Sequence, residues 1–482
     1  MKKFNRMLAI SLTALLAVSS MTSTCFAAGK TIYCYKANNY TGTSDAKTMY
    51  DGVRGQVSSY TGGVKTSNIT SSDFYDKTKC IKYWASHGYN SRYLTGDHMT
   101  GFYYTNNFKW SGGNLEFAFL AACNQLDGNG SNPRATYANA MLGSSAVRTV
   151  CGYHEYAPAA GPNGDAKVAQ YFINYAKTGE SVKSSWILAN TDFGDLDYCV
   201  LTHSGDVQYS RFEGFPGLTY TRPGSSSSTI LRFTSLYPNG TTQPTTISAE
   251  TPIELQNDLA AQLNVSLPNY SIKATPVNTT VKETVDTTVL ANDSGLKTLN
   301  GEIKDTEISM SDNRLESIAN EWVNSTYTGI DATDFSDKDV VISEIKVAEV
   351  NLDGDASKED EKTVAYHVRY NNKFNGIPVK GDHFYAIIDD SGVVSSSINH
   401  NDYQIVANTA KANAISSNDA ASFLAKEIES NAILAAASTS VTGIGVSFCD
   451  DDGDGIFDPA YVFEMADGNT YTVNSLSGAV SF

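Results

Sequence analysis

The sequence predicts an α/β sandwich around a mostly parallel sheet, followed by a second domain of the α+β class. Between residue 31 and about residue 218, apolar runs of strand length alternate with segments of helical spacing. These runs are apolar throughout, which is typical of parallel strands buried on both faces. Beyond residue 251, strand-like segments follow one another and are separated by Gly, Asn and Asp turns, as in antiparallel hairpins.

Each element of the first half has its own signal. The apolar runs predict strands at residues 31–35, 80–86, 115–121, 146–153 and 198–202. Apolar residues three or four positions apart predict helices near residues 46–57, 135–142, 168–175 and 181–189. We therefore expect one domain over residues 29–220, a usual domain length.

The composition changes after that domain. Residues 221–251 are rich in Ser, Thr and Pro, which predicts a linker, although the apolar segment 230–236 would suit an edge strand. The second domain is expected over residues 252–482. Its predicted helices lie near residues 314–323 and 420–428, and its predicted strands near 340–352, 363–374, 383–389, 393–399, 445–448, 461–465 and 470–473.

The N-terminus indicates export. Residues 1–6 carry three basic side chains, residues 7–18 form an apolar run, and small residues precede Ala28. This pattern predicts a secretory signal peptide over residues 1–27 and an extracellular or cell-wall-associated protein. The run is too short to span a membrane, and no other segment reaches about 20 apolar residues, so we expect no membrane span.

Charge and cysteine content exclude several classes of protein. The 482 residues carry a net charge of −17, and removal of the three basic residues in segment 1–27 leaves −20. Nucleic-acid binding needs a basic surface and is therefore not expected. Six cysteines follow residue 27, too few for a disulfide scaffold. One or two disulfides among Cys34, Cys80, Cys151 and Cys199 are compatible with the sequence, which does not choose between them.

Two chemically reactive residues follow neighbouring apolar strands. His87 and Gly88 come directly after the predicted strand 80–86, and Cys123 follows the strand 115–121. Because ligand sites lie outside the carboxyl ends of parallel strands, we expect His87 and Cys123 at one edge of the sheet. A thiol nucleophile needs a neighbouring imidazole, and a glycine lets a backbone N–H approach a developing oxyanion.

The order His-Gly then Ala-Cys, each after a hydrophobic block, resembles the clan CD cysteine peptidases, which include caspases, gingipains, legumain and clostripain. The resemblance covers residues 31–218 and extends to a group of secreted bacterial relatives. It implies a caspase-like three-layer sandwich with Cys123 as nucleophile, His87 as general acid and base, and the Gly88 and Cys123 N–H groups as oxyanion hole. Ala121 before the Ala-Cys pair and Asn124-Gln125 after it depart from the caspase pattern, so cleavage after Asp is not implied.

Another histidine lies near the same edge. His154-Glu155 begins like a zinc-protease helix, but residue 158 is Pro158 rather than a second histidine, so the metal-ligand set is incomplete. Because His154 follows the predicted strand 146–153, we expect His154 and Glu155 to contact the substrate instead.

The second half resembles the propeptide module of thermolysin-type proteases and the related PepSY domain. The residues that carry the resemblance are YNNKFNGIPV at 370–379, the strand 383–388, DSGVV at 390–394, and YTVNSLSG at 471–478. In those families the module chaperones or inhibits a peptidase in the same chain. The resemblance implies that the second half restrains the Cys123 site, and a spacer domain without this role is the alternative.

An acidic segment near the C-terminus follows the spacing of a calcium loop. Asp450, Asp452, Asp454 and Asp458 alternate with other residues around Gly455. Residue 461 is Tyr461 rather than the bidentate Glu of such loops, and the segment lies between two strands. Calcium at this loop is one interpretation, and a solvated acidic hairpin is the other. No cofactor is required for the chemistry expected at Cys123.

Two functions are consistent with these patterns. The first is a secreted cysteine endopeptidase that acts on peptides or proteins. The second is a catalytically inactive protein of the same fold that serves as a binding or structural module of the cell envelope.

Overall fold

The computed structural model describes most of the chain outside the N-terminus. The described residues are 30–37, 44–89, 92–94, 101–103, 110, 113–123, 125–126, 138, 141–143, 146–154, 157–158, 164–194, 197–215, 228–236, 267–283, 287–292, 295–351, 359–406, 415–430, 441–450, 454–465 and 470–481. The predicted signal peptide lies outside them.

Five parallel strands form the centre of the first half. Their order in the sheet is β2, β1, β3, β7, β8, with bounds β1 Thr31–Lys36, β2 Thr61–Lys65, β3 Ile81–Ala85, β7 Phe117–Ala121 and β8 Thr149–Tyr153. A small antiparallel sheet, β4 His87–Tyr89, β5 Arg92–Leu94 and β6 Gly101–Tyr103, follows β3. Strand β9, Tyr198–His203, joins β8 in antiparallel orientation. The sheet is therefore mixed, with a parallel centre as the sequence predicts.

Helices pack on both faces of this sheet. Their bounds are α1 Asp45–Gln56, α2 Ser71–Tyr75, α3 Asp165–Ala176 and α4 Val182–Phe193. Tyr83 and Phe119 belong to an apolar cluster with α1, α3 and α4, whereas Trp84 and Leu120, their neighbours in sequence, pack with Phe74 of α2. Because alternate strand residues point to opposite faces, the strands need to be apolar throughout. The result is a three-layer α/β arrangement, consistent with the expected caspase-like fold.

Strand β10, Ile230–Leu236, joins the two halves into one sheet. It pairs in antiparallel orientation with β9 on one side and with β16, Lys338–Glu349, on the other. The segment 230–236 is therefore an interior strand and not the edge strand that the composition suggested. Its apolar residues Ile230 and Phe233 are buried, which explains why an apolar run interrupts a polar segment.

The second half is α+β, and its main sheet is antiparallel. After β16, the strands β17 Lys362–Phe374, β18 Ile377–Asp389 and β19 Gly392–Asn399 form a meander, which β14 Gly295–Leu299 and β13 Thr288–Asn292 extend. Helix α5, Asp312–Thr326, packs on one face of this sheet through Leu315 and Val323.

A smaller unit follows, in which one helix again packs on an antiparallel meander. Helix α6, Ser417–Ser430, packs against the meander β21 Val441–Cys449, β22 Ile456–Met465, β23 Thr470–Asn474 and β24 Val480–Ser481. The remaining strands are β11 Ser271–Pro276, β12 Thr280–Val281, β15 Tyr327–Thr328 and β20 Asn401–Val406. The predicted positions of both helices and of the long strands are confirmed, whereas the likeness to PepSY domains stays a prediction.

Buried polar contacts also connect the halves. Glu302 accepts hydrogen bonds from the Ser181 backbone N–H and hydroxyl at the start of α4, both 2.7 Å long. Lys183 is buried and donates to the Ile303 carbonyl at 2.6 Å. Because Ser181 and Lys183 are fully buried by these contacts, the second half completes the surface of α4.

Among the described residues, none of the helices is both long and apolar enough to cross a membrane.

We predict that truncating Phe233 of β10 destabilises both halves together. Phe233 is fully buried, and the Lys183 ammonium lies 4.5 Å from the centre of its ring. Phe233→Ala should lower the free energy of unfolding by about 3–5 kcal/mol, because it removes a buried aromatic ring and leaves a cavity. Chemical denaturation measures this change. Val289→Ala, at a 45% exposed residue of the outer strand β13, is the control and should change the value by less than about 0.5 kcal/mol.

Candidate active site

The ends of β3 and β7 place residues 87 and 123 at matching positions. Ala85 is paired with Ala121 in parallel register, and the Ser86 N–H donates to the Ala121 carbonyl at 3.3 Å. His87 and Cys123 each follow the paired alanine by two residues. Since neighbouring strands lie about 4.8 Å apart, the two backbones leave the sheet side by side at its carboxyl edge. The structure thus brings the two backbones to one edge, whereas the His87 side chain lies outside its described part.

Cys123 lies in a turn that is tied to the neighbouring strand. The N–H groups of Gln125 and Leu126 donate to the Tyr153 carbonyl at the end of β8, at 3.1 and 3.0 Å. The Gln125 side-chain amide donates to the Cys123 carbonyl at 2.8 Å. These bonds hold the turn against β8, so the position of the Cys123 backbone is set by both β7 and β8.

The Cys123 thiol is half-buried, and a backbone donor points to it. The Ala157 N–H lies 3.3 Å from Sγ. A donor at this position favours negative charge on the sulfur, because hydrogen bonding to the charged form stabilises that form. No sequence pattern points to Ala157, since a backbone N–H can be supplied by almost any residue type.

The other predicted site residues lie near the same edge where the structure describes them. Gly88 is in β4, opposite Tyr93 of β5. His154 follows β8 directly, is half-buried, and its backbone N–H donates to the Asp197 carbonyl at 2.9 Å. Glu155 lies outside the described residues. The oxyanion-hole role of Gly88 and Cys123 and the substrate contacts of His154 and Glu155 stay predictions.

The remaining thiols are in different surroundings. None of the six cysteines after residue 27, all of which the structure describes, is in a disulfide, so the disulfides compatible with the sequence are not formed. Cys34, Cys151, Cys199 and Cys449 are buried, and burial raises the pKa of Cys34 and of Cys151 well above the ordinary value. Cys80 is half-buried but precedes β3, at the opposite end of the strand from His87.

The described acidic residues near the C-terminus lie just after β21, just before β22 and within β22. Asp450 accepts from the Gly455 N–H at 3.0 Å, and Asp454 accepts from the Ile456 N–H at 2.7 Å. Asp458 accepts from the Ser271 hydroxyl, and Asp452 lies outside the described residues. Within the described ranges, no group of three or more His, Cys, Asp or Glu side chains is arranged to hold a metal ion. Calcium binding here therefore stays a prediction.

Comparison with known proteins gives little further information. No protein-family model matches the chain, and no curated protein matches it. Among solved structures, it is similar to the crystal structure of the Arg-specific cysteine proteinase gingipain R, with 12% sequence identity and a TM-score of 0.27. The match covers 51% of this chain and 55% of that one, so the chain spans about half the length of that structure. A likeness at this TM-score carries no argument about activity, and the specificity in that name belongs to gingipain R.

We predict that native thiol reactivity separates these cysteines. A low dose of iodoacetamide should label Cys123 and Cys80, whose side chains are half-buried, whereas Cys34, Cys151, Cys199 and Cys449 should react only after unfolding. Peptide mass spectrometry gives the labelled fraction of each. Labelling of Cys151 in the native protein as fast as Cys80 would contradict the burial of β8.

Proposed function

We propose that the chain is a secreted cysteine endopeptidase that uses a Cys123–His87 dyad. The observation that supports this most is the matching position of the two residues beyond the paired Ala85 and Ala121. The half-buried Cys123 thiol, with the Ala157 N–H directed to it, adds a second reason. The substrate class is peptides or proteins, and the reaction requires no metal or cofactor.

In the proposed first step, His87 takes the thiol proton and the Cys123 sulfur attacks the peptide carbonyl carbon. The carbonyl oxygen becomes an oxyanion that the backbone N–H groups of Gly88 and Cys123 stabilise. The C–N bond then breaks, the leaving amine takes the proton from the His87 imidazolium, and a thioester remains on Cys123.

In the second step, water replaces the amine. His87 takes a proton from water while the water oxygen attacks the thioester carbon. The C–S bond breaks, the carboxylic acid product leaves, and the proton returns to the Cys123 sulfur. Because one imidazole serves both steps as base and then acid, loss of His87 affects both.

We further propose that the second half restrains this site through α4. Lys297 of β14 forms a buried ion pair with Asp192 of α4. In the same helix, the Asn190 side chain accepts a hydrogen bond from the Tyr153 hydroxyl at 2.9 Å. The Tyr153 carbonyl in turn holds the Cys123 turn, so a contiguous set of contacts runs from the second half to the thiol.

The alternative function is a catalytically inactive binding or structural module of the cell envelope. It uses the same fold but needs no reactive thiol. Reactivity of Cys123 that depends on His87 distinguishes the two, because a binding module has no reason to activate a thiol.

We predict that Cys123→Ala abolishes hydrolysis of a mixed peptide library by the purified protein. His87→Gln should lower the rate about 10²–10⁴-fold, because a positioned acid and base is lost. Cys80→Ala is the control, since Cys80 is also a half-buried free thiol but lies at the other end of β3, and it should leave the rate unchanged. Hydrolysis that persists in Cys123→Ala would refute the proposal.

We also predict that Lys297→Met increases the rate at which iodoacetamide labels Cys123, by about tenfold. Removing the ammonium leaves Asp192 buried without its counter-ion, which costs about 3–5 kcal/mol and weakens the contact with α4. Lys304→Met is the control, because Lys304 forms an ion pair with Asp390 that is exposed, at 3.2 Å. An unchanged labelling rate in Lys297→Met would argue against restraint through α4.

A further inference from the structure

The main sheet of the second half has two faces of different chemistry. One face packs under α5 through Val368, Phe384 and Ile388 and is apolar. The opposite face packs against α3 and α4 of the first half. Its Leu299, Ile387 and Val394 join the apolar core of the first half, and it also carries many polar side chains. The buried ones are Lys297, Ser343, His367, His383, Tyr385, Ser395 and Ser397, and Arg369 is half-buried among them. Polar side chains at such a contact are costly to bury, because they lose their contacts with water.

Asp192 lies at the centre of this contact. It forms the ion pair with Lys297, accepts a hydrogen bond from Tyr385, and accepts another from Tyr175 of α3 at 2.8 Å. The Lys297 ammonium also lies 4.8 Å from the centre of the Tyr171 ring. We call Asp192, Tyr175, Lys297, Tyr385, His367 and His383 the Asp192 cluster.

The two histidines of the cluster pack on Tyr385. Their rings lie 5.2 Å and 5.9 Å from the Tyr385 ring, for His367 and His383, and both residues are at most 5% exposed. The His367 Nδ1 lies 3.5 Å from the Ser343 hydroxyl, and no partner for its Nε2 is found among the described residues. The His383 Nδ1 lies 3.1 Å from the Gly381 carbonyl.

The charges that face these rings are mostly positive. Lys297 of β14 is buried and Arg369 of β17 is half-buried beside them, and Lys167 of α3 acts on Lys297 from the first half. Asp192 is the carboxylate that contacts the cluster from α4, and Tyr171, Tyr175 and Tyr385 are titratable neighbours of the rings. Glu180, just before α4, acts on Tyr175, and Tyr327 acts on Tyr385. Two further positive charges on the histidines would exceed what one carboxylate can balance.

We propose that the Asp192 cluster is an acid-sensitive switch, in which protonation of His367 and His383 separates the second-half sheet from α3 and α4. The proposal concerns the contact between the halves and does not depend on peptidase activity. The chain remains joined through the pairing of β10 with β9 and β16, while α4 and β14 lose the packing that keeps their own backbone hydrogen bonds from opening.

The direction of the pH dependence follows from burial. Burial, and to a smaller extent the charge of Arg369, lowers the pKa of His367 to about 3. Burial, with smaller effects from Arg369 and Lys297, lowers the pKa of His383 well below its ordinary value. With the face exposed to water, both would titrate near 6.5. The closed contact is therefore fully stable above pH 6.5 and weakens as the pH falls below it, by about tenfold per pH unit for each histidine.

Hydrogen exchange on the full chain between pH 7.5 and pH 4.5, corrected for intrinsic rates, tests this. Peptides from α4 and β14 should lose protection together as the pH falls, by about tenfold to a hundredfold per unit, while peptides from β3 stay protected. Constant protection of α4 and β14 would overturn the proposal. Equal loss in β3 would also overturn it, because that result indicates unfolding of the whole chain.

Variants separate the histidines from other acid effects. In His367→Gln/His383→Gln, protection of α4 should no longer depend on pH below 6.5, and persistence of the dependence would overturn the proposal. If the double variant does not fold, His367→Gln alone should halve the slope of log protection against pH. His400→Gln is the control, because His400 is paired with Asp382 at 3.1 Å elsewhere in the second half and should leave the slope in α4 unchanged.

Discussion

The architecture depends on the pairing of β10 with a strand from each half. Its residues bond to β9 over 230–234 and to β16 over 231–236, so this strand occupies the interior of a sheet that runs through both halves. Without the second half, β10 would be an edge strand, and α4 would lose the cover that Glu302 and Ile303 provide. The first half is therefore not a closed unit in the usual sense of a domain with its own complete core.

The candidate site depends on a simpler constraint, the parallel register of β3 and β7. This pairing sets the backbone positions of residues 87 and 123 whatever their side chains are, and β8 fixes the turn after Cys123 through the Tyr153 carbonyl. Such a scaffold is equally suited to a reactive thiol and to a binding surface. What favours chemistry is the identity of the residues, a histidine and a cysteine, together with the N–H of Ala157.

Much of this could be predicted from the sequence, for physical reasons. The apolar strands before His87 and Cys123 stand out because they are buried on both faces, and α5 stands out because Leu315 and Val323 recur at helical spacing. The pairing of β10 on both sides could not be predicted. Its partner strands begin at residues 198 and 338, and pairing with segments so distant in sequence produces no local pattern. Strands β13 and β14 were missed because Val289 is exposed while Lys297 is buried, the reverse of the usual pattern.

The shared sheet also has a consequence for how the chain folds. During synthesis from the N-terminus, β10 is complete about one hundred residues before β16 begins. Over that interval the strand presents unpaired backbone groups and an apolar side, which is the kind of edge that pairs with other copies of a chain. We therefore expect the first half to complete its sheet only when β16 has been synthesised and can pair with β10. The sheet of the first half is therefore completed by β16, a strand synthesised about one hundred residues later, rather than by residues of the first half alone.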